Sequence, residues 1–120
     1  MARSQTVIAD FQDLNPVIHE RTRLAIMTFL VSGESISFTE LKQELGLTDG
    51  NLNLHMKVLE KNGFVAVEKS FVDRRPRTTY RITSAGQKTF RRYVELLERI
   101  IGLGKPAPKK TPTRRAHRKS

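Results

Sequence analysis

The chain contains no cysteine. Disulfides, thiolate metal sites and thiol redox sensing are therefore excluded at the outset, and the absence fits a reducing compartment. A long apolar run is also lacking. The longest, Leu24 to Val31, is interrupted by Thr28 and falls far short of the ~20 residues that cross a bilayer. The opening Met-Ala-Arg-Ser-Gln leads into no apolar stretch of the kind a secretory signal needs. Glycines fall where helices end rather than in a phosphate-cradling loop. His19, His55 and His117 are far apart in sequence and form no ligand-spaced cluster. His19 and Glu20 are neighbours, and neighbouring helix positions point in different directions. No catalytic constellation or metal site is legible, no cofactor is expected, and the chain does not read as an enzyme.

What is present is a basic chain of 120 residues, a length suited to one domain with a modest core that a partner subunit can supplement. Hydrophobic residues make up 38% and charged residues 28%, as in ordinary globular proteins. The net charge is +10, and from Lys105 onward there are seven Lys or Arg and no Asp or Glu, so only +3 belongs to residues 1–104. Such a tail suits a polyanion, either nucleic acid or an anionic membrane surface. Membrane attachment is the weaker fit, because the tail has neither an apolar face nor a lipidation cysteine. The tail, 102–120, is rich in Lys, Arg, Pro and Thr and cannot form a core. It either adds salt-sensitive attraction to nucleic acid or merely solubilises. Residues 1–14 form an N-terminal extension suited to a short helix that packs on the body or on a partner.

The body, 15–101, has local signals in a definite order. Asn15-Pro16 fits a helix start, and the pattern predicts a helix to about Val31. Ile18, Ala25, Ile26, Phe29 and Leu30 make one apolar stripe. Val17, Leu24, Met27 and Val31 lie on another face, available to a second protomer. Glu34–Ser37 fits a small strand. Ser37-Phe38-Thr39-Glu40 reads as a capping box, and Gly46 as the left-handed end of the helix it starts. Thr48 is placed to cap a helix over 49–62. Phe64–Val72 and Thr78–Thr83 read as strands around a turn at Arg74–Arg77. Ser84 is the expected cap of a last helix, 84–101, in which Phe90, Val94, Leu97 and Ile101 recur in steps of four and three, as a packing seam does.

Two surfaces carry candidate chemistry. With Leu52 at the centre of the buried side of helix 49–62, Met56 and Leu59 fall beside it and His55 at the edge. Gly50, Asn53, Leu54, Lys57 and Lys61 fall opposite. Asn bonds base edges, a Leu methyl meets thymine methyls, and Lys reaches guanine or phosphate. Gly50 lets backbone approach a phosphate at the helix N-terminus. Taken alone this face reads as a solvated helix exterior. The tight preceding turn and the following hairpin favour a binding surface. Arg74, Arg75 and Arg77 crowd four positions around Pro76, where turns ordinarily use Asn, Asp and Gly. Arginine forks suit phosphates and narrow minor grooves.

The segments Asn15–Ile26, Ser37–Lys42, Leu45–Leu52, Val58–Val65 and Arg74–Thr83, in this order, resemble the compact winged-helix transcriptional regulators related to the MarR and ArsR families. The resemblance implies an α+β, mostly helical winged helix-turn-helix: a three-helix core, a β-hairpin wing at 73–78 and a C-terminal dimerisation helix. It implies a dimeric regulator of transcription, most often a repressor, on a pseudo-palindromic double-stranded DNA operator, and hence a cytoplasmic, nucleoid-associated protein. Thr48, Asp49, Gly50, Asn51, Asn53, Leu54, Lys57 and Lys61 would then serve the major groove. Arg74, Arg75 and Arg77 would serve the backbone or minor groove. Val17, Leu24, Met27, Phe90, Val94, Leu97 and Ile101 would form the dimer surface. The lack of cysteine departs from the thiol metal sensors among the ArsR relatives. An architectural nucleic-acid binder and a winged-helix protein-interaction module are the alternatives, distinguished by binding to specific against random duplex and by whether duplex binds at all at physiological salt.

Overall fold

The computed structural model describes residues 2–103; the basic tail lies outside them. Its elements run α1 (Ala2–Asp13), α2 (Arg21–Leu30), β1 (Ile36–Ser37), α3 (Phe38–Leu45), α4 (Asp49–Lys61), β2 (Val65–Val72), β3 (Arg75–Ile82) and α5 (Ser84–Leu103). The three strands are antiparallel in the order β1-β3-β2. The molecule is elongated, 60 × 33 × 25 Å.

The helix expected from Asn15 is only one turn. Asn15 Oδ1 accepts the N–H groups of Val17 and Ile18 at 2.9 and 3.2 Å, so its capping chemistry is as expected. Glu20 then adopts an extended conformation (φ −148°, ψ 130°) and becomes the cap of α2, accepting Arg23 N–H at 2.8 Å. Arg23 Nε donates to the Val17 carbonyl at 2.6 Å, which satisfies an acceptor that the interrupted helix leaves open. Ile18 drives this break, since its side chain is fully buried in the core.

The middle of the chain follows local chemistry. Ser37 Oγ accepts Glu40 N–H, and Glu40 Oε1 accepts Ser37 N–H, both at 3.1 Å. The Ser37 N–H and then the Ser37 hydroxyl, both donating to Glu40 Oε1, hold the Glu40 carboxyl below the usual glutamate range. Gly46 closes α3 with φ 65°, a conformation that glycine takes without a Cβ penalty. Thr48 Oγ1 accepts Asn51 N–H at 3.1 Å to cap α4. Leu41, Leu52, Met56 and Leu59 from these two helices meet Ile26, Met27 and Leu30 of α2 in the core. Each fully buried side chain of this kind contributes roughly 1.5–3 kcal/mol.

Several expected assignments shift. The hairpin turns at Asp73-Arg74 rather than over Arg74–Arg77, and β3 begins at Arg75. Both turn residues have positive φ, 53° and 68°, the pattern of a two-residue hairpin loop. Thr83, not Ser84, caps α5: its Oγ1 accepts Gly86 N–H at 2.9 Å and donates to the Gly63 carbonyl at 2.7 Å. The helix also continues through Gly102 to Leu103. Met27 is fully buried and Phe90 is 9% exposed, both within the protomer's own core. The two residues are therefore corrected from dimer surface to core, because a periodic seam specifies burial without specifying what covers it. Residues 2–13 form α1, which packs along α5 with Asp10 paired to Arg99 at 3.0 Å.

Gly86 is the most closely packed glycine among the described residues. An added Cβ would stand 2.2 Å from the Phe64 carbonyl oxygen, and that oxygen already accepts Thr83 N–H. Gly86→Ala is predicted to destabilise the protein by about 1–3 kcal/mol through overpacking, read as a lower urea midpoint at unchanged slope. An unmoved midpoint would refute the close approach.

Candidate nucleic-acid interface

The face of α4 is fixed by its buried side. Leu52, Met56 and Leu59 are at most 1% exposed, and the 3.6-residue period turns the opposite positions outward. Asn51, Asn53, Leu54, Lys57 and Lys61 are all exposed, Leu54 to 59%. His55 lies at the edge, half-buried, and ties α4 to α2: Arg23 Nη1 stands 3.1 Å from its Nδ1. The Glu20 carboxylate lies 3.7 Å from the same nitrogen. Burial pushes the Glu20 carboxyl up, but the N–H groups of Arg23 and Thr22, together with the neighbouring His55 and Arg23, hold the group below its ordinary value.

At the α4 N-terminus the expected site residues divide. Thr48 and Asp49 are committed to the fold, Thr48 as the cap and Asp49 through a 2.8 Å ion pair with Lys42. That pair spans the turn between α3 and α4 at the surface, where such pairs contribute at most about 1 kcal/mol. Gly50 is exposed, and nothing lies within 4 Å of an added Cβ. The protomer's packing therefore does not require glycine there.

The hairpin is anchored at its base. Tyr80 is buried and its ring lies 6.4 Å from that of Phe38; burial, then the Glu60 charge, raises its phenol above the ordinary tyrosine value. Beyond this anchor the strands leave the body. Arg74, Arg75 and Arg77 are all exposed. Arg74 sits at φ 68°, where a side-chain-bearing residue is strained by roughly 1–2 kcal/mol.

Helix and hairpin meet in one cleft of ≈ 270 Å³ lined by Phe38, Asn53, Met56, Lys57, Glu60, Val67, Lys69, Thr78 and Tyr80. A second groove shares Phe38 and Thr78 with it and continues past Arg75 and Arg77 to Asp73. The polar face of α4 borders the first of these concavities, and Arg75 and Arg77 border the second, with Phe38 and Thr78 between them. Lys69 and Thr78 line the first and were not expected from the sequence, because their side of the sheet follows from strand register. Among the described residues no group of three or more His, Cys, Asp or Glu is placed to hold a metal, and no helix is long and apolar enough to cross a membrane.

A helix pair joined by a tight glycine turn, an outward second helix and an anchored hairpin beside it define a winged helix-turn-helix of the DNA-binding class. The family model described as a winged helix DNA-binding domain matches residues 22–101, and the chain belongs to that family. It is 39% identical over 83 residues to an uncharacterized protein of Methanocaldococcus jannaschii, a match covering 68% of this chain and 90% of that protein. The solved structure of a transcriptional regulator homologue from Pyrococcus horikoshii OT3 superposes with a TM-score of 0.72 at 33% identity, covering 88% of this chain and 100% of that one. A MarR-family transcriptional regulator of Porphyromonas gingivalis W83 shares the fold, with a TM-score of 0.57 at 22% identity over 75% of this chain and 85% of its own. The family is one of DNA-binding proteins rather than enzymes.

Gly50→Ala separates fold from ligand. Removing glycine from a helix stabilises it by about 0.5–1 kcal/mol, so the melting temperature is predicted to rise. Duplex affinity is predicted to fall as the new methyl blocks backbone approach. A rise in both would show that the position serves no ligand.

Proposed function

We propose that the chain is a dimeric, sequence-specific regulator that represses transcription by occupying a pseudo-palindromic operator. The α4 face of Asn51, Asn53, Leu54, Lys57 and Lys61 reads the major groove. Arg74, Arg75 and Arg77 hold the backbone or the adjacent minor groove. The observation carrying this reading is the shared cleft, in which Asn53 and Lys57 of α4 stand beside Lys69 and Thr78 of the hairpin. One rigid double-stranded ligand meets both. Asn53 and Leu54 supply base discrimination, and the lysines and arginines supply the salt-dependent part of the affinity.

The dimer is assigned to the terminal helices. Ile8 and Phe11 of α1 and Ile101 of α5 are 58%, 47% and 50% exposed, an uncovered apolar surface on elements that already pack together. Val17, Leu24, Val94 and Leu97 are partly buried against the core and flank this surface. A C2 arrangement through it presents two copies of α4 to two half-sites.

Selection of bound duplexes from a random pool, with and without residues 105–120, is predicted to return one motif with two related half-sites in both cases. Asn53→Ala or Leu54→Ala is predicted to change the preferred bases, with mismatch discrimination altered by about 1–3 kcal/mol per position. Identical preferences in both variants would remove the readout role. Ile101→Asp alters an exposed residue, so the fold is retained and sedimentation is predicted to report monomers; a dimer persisting at low concentration would place the interface elsewhere.

A further inference from the structure

The hairpin carries an apolar rung that the protomer does not use. The register pairs Val65 with Ile82, Val67 with Tyr80, Lys69 with Thr78 and Phe71 with Pro76. Side chains alternate across a sheet, so these four rungs share one face. The first two rungs lie against the core, with Val65, Tyr80 and Ile82 buried and Val67 half-buried. The third lines the cleft beside α4. The fourth stands ~7 Å further out, at the sheet's two-residue repeat, with nothing over it. Phe71 is 73% exposed, more than any other large hydrophobic among the described residues.

An exposed phenylalanine beside a proline adds nothing to hairpin solubility and offers an aggregating surface. Its surroundings specify an occupant. Lys69 precedes it on the same face, while Arg75 and Arg77 occupy the opposite face one register position to either side. Cations therefore flank an apolar edge two residues wide. The minor groove of duplex DNA is the complement of that profile: two phosphate rails enclose a slot ~6 Å wide whose walls are deoxyribose carbons.

We infer that Phe71, backed by Pro76, is an apolar wedge that enters the minor groove beside the α4 contact and opens a base step. This deepens the proposed function and rests on its placement of duplex against α4 and the wing. Apolar side chains at such positions partly unstack a step and kink the duplex. Pyrimidine–purine steps yield most easily. Phe71 is accordingly a specificity-determining residue that reads deformability, while Arg75 and Arg77, on the other face of the same hairpin tip, hold the neighbouring backbone.

The test uses the full chain and a duplex recovered from the random-pool selection, end-labelled for energy transfer. Phe71→Ala is expected to weaken binding about tenfold, within the range of a lost stacking contact, and to lengthen the end-to-end distance of the bound duplex. Its salt slope is expected to stay that of the wild type, whereas Arg75→Ala reduces the slope by about 0.9 for a lost phosphate contact. Phe71→Leu is expected to restore most of the bend, and replacing a pyrimidine–purine step under the wing is expected to mimic Phe71→Ala. An unchanged melting temperature confirms that the exposed substitutions leave the fold intact. Wild-type affinity and bend in Phe71→Ala, with Arg75→Ala still impaired, would overturn the wedge and leave the proposed function standing. Failure of the wild-type chain to bind any duplex would overturn both, as would loss in Phe71→Ala of binding to anionic vesicles in place of DNA.

Discussion

Everything the candidate interface does depends on how the wing is joined to the body, and that joint is Tyr80. The residue pairs with Ile36 on one side and Val67 on the other, and its ring packs on Phe38 at the start of α3. β3 is thereby the central strand only at its base. Fixing one residue between two strands and a helix sets the angle between hairpin and α4, which α4 alone cannot do. Past Thr79, β1 has ended and the edge of β3 is open. Pro76 and the arginines occupy that stretch, a composition that resists pairing with another strand. The residues suited to a polyanion also keep the exposed edge from recruiting a second sheet.

The distribution of acidic groups reinforces this surface. Asp49 is held by Lys42, Glu40 closes the capping box, Glu20 caps α2, and Asp10 pairs with Arg99. These carboxylates are engaged in structure. Glu60 in the cleft near Tyr80, Glu68 on β2 and Asp73 at the turn are the others on α4 and the hairpin. Seven Lys or Arg against four Asp or Glu on these elements give +3, the whole basic excess of residues 1–104.

How far the sequence could be read follows the range of the deciding interaction. Ser37 with Glu40, Gly46, and Thr48 with Asn51 are settled within four residues, and the Leu52, Met56, Leu59 stripe is a matter of period. These signals were legible, as was the outward face of α4. The break at Glu20 was not, because it turns on the burial of Ile18 and on Arg23 reaching the Val17 carbonyl. Thr83 replaces Ser84 as cap because the Gly63 carbonyl holds its hydroxyl, a contact across the hairpin. Met27 and Phe90 show the limit of a seam, whose covering surface is chosen by tertiary packing. The hairpin tip is legible at 73–78, but its narrowing to Asp73-Arg74 is not, because that loop lacks the glycine such turns favour. The places of Lys69 and Phe71 are not legible either, since one residue of register decides their face.

The junction of Gly63, Phe64, Thr83 and Gly86 also couples the start of α5 to the hairpin. The Phe64 carbonyl receives Thr83 N–H only when the two strands are zipped to their open end, and the Gly63 carbonyl then fixes the hydroxyl that caps α5. The first turn of a helix is its costly nucleus, and here it is templated by a finished hairpin. The start of α5 is therefore tied to the base of the hairpin, and α1 packs along the helix that begins there.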